Sequence, residues 1–175
     1  MSVWSFEKRM DRFVSTFTNK IDAKGRVSIP APFRAVLARD GYEGGIYCYP
    51  NVDHPSLDAG GEGLARKIDT LLEDIPDFSD ERDQYSVALY SDVQILNIDG
   101  DGRIVLPEKL KEHANISTHV TFVGMGQKFQ IWEAEQFEAH RERAREKVRA
   151  YKKSFGAGDR TRSTLSEDGR DGARE

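Results

Sequence analysis

The chain has 175 residues, enough for one ordinary domain or two small ones. With 38 % hydrophobic and 32 % charged residues it suits a soluble globular protein, and no apolar run approaches the length of a membrane span. A net charge of −4 speaks against a simple nucleic-acid binder, so the distribution of charge becomes the informative quantity. Residues 1–34 carry seven cations against three anions, and the remainder carries 19 against 27. An acidic body with one basic end is compatible with a DNA face; ordinary scatter gives the same asymmetry. The lone Cys48 has no internal disulfide partner, and Met1 to Arg12 is short, charged and without an apolar centre. Both lead us to expect a cytoplasmic protein with no secretory leader.

Residues 1–12 read as an N-terminal extension with a helical turn near Phe6 to Met10. Phe13 to Thr18 is rich in strand formers and reads as the first strand. Next comes Ile21-Asp22-Ala23-Lys24-Gly25-Arg26-Val27-Ser28-Ile29-Pro30. Its pattern, apolar-Asp-x-x-Gly-Arg-apolar-x-apolar-Pro, returns without gaps from Ile98 to Pro107, and Phe33 and Leu110 correspond as well. A loop and its flanking strands are therefore used twice. Asp22 and Asp99 head a tight turn, where a carboxylate accepts backbone N–H groups. Gly25 and Gly102 permit a positive φ. Val27 and Ile29, like Ile104 and Leu106, alternate as in a half-buried strand. Pro30 and Pro107 open the short helices Ala31 to Ala38 and Glu108 to Ala114. One unit is strand, turn, strand, helix.

Between the two copies, Asp40-Gly41 ends a helix, and Gly45 to Tyr49 is a strand closed by Pro50-Asn51. His54 to Gly63, rich in Gly, Asp and Pro, reads as a loop. Leu64, Ile68, Leu71 and Leu72 mark an amphipathic helix that Pro76-Asp77 breaks. Ser79 caps a further helix to about Tyr90, and Val93 to Ile98 is the strand entering the second copy. Beyond the second short helix, strands His119 to Val123 and Lys128 to Trp132 flank a hairpin turn. Glu133 to Lys153 is a long helix with acids early and bases late, as the helix dipole favours. Its narrow apolar stripe marks a solvated face or a subunit contact. Residues 154–175 read as a disordered tail.

Catalysis has little purchase here, since the chain has no P-loop and no dinucleotide fingerprint. Asn97, Asp99, Asp101, Gly102, Ile104 and Glu108 fall at calcium-loop positions, but the first copy places Lys20, Lys24 and Ala31 at ligand positions. The shared architecture therefore needs no metal. Asp22 and Asp99 lack the Thr-Gly or Ser-Gly that a symmetric pair of catalytic aspartates would require. Cys48 alternates with aromatics on a strand and reads as a small core residue. Arg26 and Arg103 carry two open readings. A guanidinium on a fixed turn suits bidentate pairing with guanine, with Lys24, Lys20 and Arg34 on phosphates. Alternatively, each arginine braces the fold by pairing with Asp22 or Asp99.

The doubled Asp-x-x-Gly-Arg-apolar-x-apolar-Pro motif, in a chain of this length, resembles the MraZ family of bacterial transcriptional regulators. The resemblance covers about Phe13 to Lys153. It implies an α+β, mainly β chain of two SpoVT-AbrB-type repeats, residues 13–76 and 77–153. These are swapped-hairpin units forming an intramolecular pseudo-dimer with external helices. It further implies a nucleoid-associated, ring-shaped homo-oligomer with no enzymatic activity, cofactor, small-molecule substrate or membrane partner. Its double-stranded DNA target would be tandem repeats in the promoter of the cell-division and cell-wall gene cluster. Carried over residue by residue, the DNA-contacting loop is Arg26 with Lys24, and Arg103 holds the matching place. Asp101 stands where Lys24 stands, so the first loop is expected to dominate. The rivals are a ring-forming structural or metal-responsive interaction protein and an AbrB-like antitoxin.

Overall fold

The structure is a computed structural model describing residues 11–41 and 45–167, with side chains described as far as residue 156. The helical turn expected near Phe6 to Met10 and the last eight residues of the expected tail lie outside the described residues. The chain divides into two compact units, one ending at Ala134 and one beginning at Glu135.

The first unit is α+β and mainly β. Its strands are β1 (Thr16–Lys20), β2 (Arg26–Ser28), β3 (Ile46–Pro50), β4 (Leu57–Gly60), β5 (Gln94–Leu96), β6 (Arg103–Val105), β7 (His119–Gly124) and β8 (Phe129–Glu133). Its helices are α1 (Ala31–Asp40), α2 (Glu62–Glu73), α3 (Asp80–Ser86) and α4 (Glu108–His113); α3 runs on into a π turn, Val87–Ser91. Six strands form one antiparallel sheet in the order β1-β7-β8-β4-β3-β5, and β2 pairs with β6 alone. Matching the repeats places β1 with β5, β3 with β7 and β4 with β8. Under that exchange the sheet order reads the same from either edge. The first strand of each repeat pairs with the other repeat's hairpin: Phe17 faces Phe122, and Tyr47 faces Ile95.

Both repeats fill one core. The corresponding residues Val27 and Ile104, Ile29 and Leu106, and Phe33 and Leu110 are all buried. Burying a side chain of this size stabilises by about 1.5–3 kcal/mol. Phe33 also packs edge-on against Phe13 and Phe17, so the first repeat contributes more aromatic surface. Gly41 (φ 76°) ends α1 in the left-handed conformation, as an αL cap requires. Ser79 caps α3 by accepting the Arg82 N–H.

Two local expectations fail. The stretch His54 to Gly63 is not all loop, because Leu57–Gly60 is β4, a buried strand between β8 and β3. Its turn-forming composition follows from crowding. A Cβ on Gly60 would lie 2.8 Å from the Leu64 side chain, and Ala59 is buried at the sheet centre. The first strand also begins later than expected. Ser15 (φ 73°) interrupts it, and Phe13 forms only an isolated bridge with Gly126.

The second unit belongs to one helix, α5 (Ala134–Glu167), which runs past Lys153 into the segment whose composition reads as a tail. Helix propagation adds one hydrogen bond per residue fixed, whereas nucleation is the costly step. Along it Arg141 bridges Glu138 at 3.7 Å and Arg149 bridges Glu142 at 3.5 Å.

Candidate nucleic-acid interface

The two motif loops match hydrogen bond for hydrogen bond. In the first, Asp22 Oδ1 accepts the Lys24 and Arg26 N–H groups, both at 2.9 Å. In the second, Asp99 Oδ1 accepts those of Asp101 and Arg103, also at 2.9 Å. The Gly25 N–H bonds the Asp22 carbonyl and the Gly102 N–H the Asp99 carbonyl, each at 3.0 Å. Gly25 (φ 80°) and Gly102 (φ 77°) take the left-handed conformation that closes each turn. Both aspartates titrate below the ordinary carboxylate value. The main cause is the arginine N–H that each accepts, partly offset by burial.

The loops are also tied to each other. The Ile29 N–H bonds the Gly102 carbonyl and the Leu106 N–H bonds the Gly25 carbonyl, both at 2.9 Å. Between these bonds β2 and β6 pair antiparallel, with Val27 opposite Ile104. Those two side chains are buried, so Arg26 and Ser28, with Arg103 and Val105, occupy the other face of the ladder. Two half-buried guanidiniums thus stand diagonally on one outer face.

Their surroundings differ. Arg26 meets Asp22 through Nε at 2.7 Å, and its terminal nitrogens have no hydrogen-bond partner among the described residues. Arg103 meets Asp99 through Nε at 3.1 Å and Asp101 through Nη2 at 3.2 Å. Lys24 is exposed on the first loop, and Lys20 is exposed at the end of β1. Arg34, on α1, reaches across to the second loop. A Cβ on Gly102 would collide with its Nη1, so the guanidinium rests on that turn. The counterpart of Arg34 in the second repeat is Lys111, which instead bridges Glu108 at 3.5 Å.

Lys20, Lys24 and Arg26 therefore belong to the first repeat's β1–β2 segment, Arg103 sits on the same outer face, and Arg34 covers the opposite loop. The brace reading holds at Nε of both arginines and leaves the Nη edge of Arg26 available. Asp22 and Asp99 each serve their own turn, and Asp99 and Asp101 face the Arg103 guanidinium where a bound cation would sit. Among the described residues no three His, Cys, Asp or Glu side chains cluster as metal ligands. No helix among them is long and apolar enough to cross a membrane. Cys48 is buried, and burial with the nearby Asp58 charge pushes its thiol up, away from nucleophilic use.

One polar group lies off the motifs. Asp58 on β4 is buried and accepts Gln130 Nε2 at 2.9 Å, with Asn51 Nδ2 and Lys128 Nζ at 3.1 Å each. Reading β4 as a loop passes over it, and its partners are up to 72 positions away.

Fold and loops define a class: a mainly β chain that uses one strand–turn–strand–helix unit twice and ties both loops to a shared ladder. A family model described as "MraZ protein, putative antitoxin-like" matches residues 89–154. The chain is 51 % identical over 157 residues to the protein named Transcriptional regulator MraZ of Azorhizobium caulinodans, covering 90 % of this chain and 99 % of that one. It is 55 % identical over 148 residues to the protein of that name in Beijerinckia indica, covering 85 % and 90 %. With the Pelagibacter ubique protein of that name it shares 41 % over 136 residues, covering 78 % and 87 %. The chain belongs to the MraZ family.

Proposed function

We propose that this chain is a DNA-binding transcriptional regulator, not an enzyme, and that its reading head is the first loop. Relatives that align along nearly their whole length carry the name transcriptional regulator. The observation that carries the reading is the open Nη edge of Arg26 beside exposed Lys24, on a turn that Asp22 fixes. A guanidinium with that edge available pairs bidentately with guanine O6 and N7 in the major groove. Lys24, Lys20 and Arg34 take phosphates. Arg103, clasped by two carboxylates, contributes less. The repeats 13–76 and 77–153 form the swapped-hairpin pseudo-dimer, a reading supported by the reversible strand order. Copies assemble into a ring, so several weak loops act at high effective concentration and an acidic chain holds DNA. By family resemblance the target is tandem promoter repeats of the cell-division and cell-wall gene cluster, and the protein works in the cytoplasm on the nucleoid.

Fluorescence anisotropy against the chain's own upstream DNA and a scrambled duplex, at low and near-physiological salt, tests this. Sequence-dependent binding is expected, with Arg26→Ala weakening it at least about tenfold while assembly stays intact. Unchanged affinity in that variant, or binding indifferent to sequence and steeply salt-sensitive, overturns it.

A further inference from the structure

Phe78 is the most exposed large apolar side chain among the described residues, at 103 % of its reference exposure. Its backbone is left-handed (φ 59°), a conformation that bulky residues seldom adopt. The turn that holds it there is anchored on both sides. Arg82 Nη1 donates to the carbonyls of Leu72 (2.9 Å) and Ile75 (3.2 Å) and to Asp77 Oδ1 (2.7 Å). Ser79 Oγ donates to the Pro76 carbonyl and accepts the Arg82 N–H. An aromatic ring is thus projected into solvent from a pinned turn, and the exposed acids Asp80, Glu81 and Asp83 follow it directly.

Elsewhere on the same unit is a cleft of about 620 Å³. Leu64, Ile68, Leu71, Leu89 and Met125 line it, and Arg12, Lys67 and Lys128 supply cations. Leu71 and Met125 are each about half exposed. Lys128 is committed to Asp58, and Lys67 reaches only the neutral Gln127. Asp53 also lines the cleft, so the lining carries three cations against two anions, an excess of one charge, opposite in sign to the acids beside Phe78. Phe78 does not line the cleft.

We propose that Phe78 of one copy inserts into this cleft on a second copy, with the acids of α3 against Arg12 and Lys67. The contact deepens the assembly part of the proposed function and rests on it. A knob on one patch and a socket on another make a head-to-tail interface, the kind that closes into a ring when its rotation closes. A buried aromatic anchor with a charged rim is also how binding energy concentrates at interfaces.

The test uses the full chain without DNA. A p-benzoylphenylalanine group placed at position 78 is irradiated in a mixture of isotope-labelled and unlabelled copies. Crosslinks between copies, to the peptide spanning Leu64 to Leu71 or the one carrying Met125, are expected. Crosslinks within one copy, or to other peptides, overturn the contact. In sedimentation velocity, Phe78→Ala raises the dissociation constant at least about tenfold. Lys67→Glu weakens assembly in the same direction, and circular dichroism stays unchanged for both. A wild-type chain that stays monomeric defeats the assembly reading itself. A wild-type assembly that Phe78→Ala leaves intact defeats only this contact, and DNA binding is measured separately.

Discussion

The two motif loops share a backbone and differ in charge. Asp, Gly and the buried pair Val27 and Ile104 recur, and with them every main-chain hydrogen bond of the turn. What varies is the exposed rim. Loop 22–26 has two cations and one anion, and loop 99–103 has the reverse. Arg26 is held at one nitrogen, whereas Arg103 is held at two. The positions that fold the turn are thus separate from those that decide what it meets. Exposed ion pairs add little stability, so the Asp101 clasp costs the fold little and withdraws one guanidinium from outside contact.

The widest gap between the loops should be seen in DNA affinity. Arg26→Ala is expected to weaken specific binding about 10–100-fold for each pairing lost, and Arg103→Ala by no more than about threefold. Equal losses in an anisotropy titration would mean that both loops read. A smaller gap belongs to the glycines. Alanine at either one meets the strain of a positive φ, about 1 kcal/mol. At Gly25 the added Cβ also lies 3.0 Å from the fixed Leu106 carbonyl, whereas at Gly102 the obstacle is the end of the Arg34 side chain, which can swing away. Urea unfolding should therefore show Gly25→Ala costing about 2 kcal/mol and Gly102→Ala about 1. The reverse order would mean that Arg34 is immobile on the turn.

Giving the second loop the first loop's charge is the sharper comparison. Asp101→Lys adds a phosphate ligand and frees Arg103 Nη2. Affinity at low salt should rise by about tenfold or less, with a log–log salt slope steeper by about one for each added phosphate contact. An unchanged slope would show that this loop stays away from the backbone of DNA.

The doubled unit was legible because its cause is local. Turn, glycine, alternation and proline sit within ten positions, and the six core residues they imply are buried. Three features were not legible. The partner of each first strand lies in the other repeat, about a hundred positions away for β1, and alternation says nothing about which edge a strand joins. β4 reads as loop because Gly60 is chosen by the approach of Leu64, a tertiary constraint that looks like turn chemistry. Arg34 was legible as a cation near the first loop, but its place over Gly102 depends on how the two repeats interlock.

The smallest difference expected between the loops is in acid. Asp22 and Asp99 are both depressed below the ordinary value of 3.8, with the arginine N–H as the main cause in each. A depressed carboxylate stabilises fully above its unfolded value and loses that contribution as pH falls through its folded value. The loops should therefore hold constant order through neutral and mildly acidic pH, and each should loosen only below 3.8. Amide exchange at Lys24 and Arg26, followed beside Asp101 and Arg103, reads this directly. The Arg26 pair is shorter than the Arg103 pair, 2.7 against 3.1 Å, so the first loop should be the later to open, by a small margin. Protection lost at one loop near neutral pH would show that its carboxylate is not what holds the turn. The common backbone would then need another cause, the reciprocal Ile29 and Leu106 bonds between the loops being the next in line.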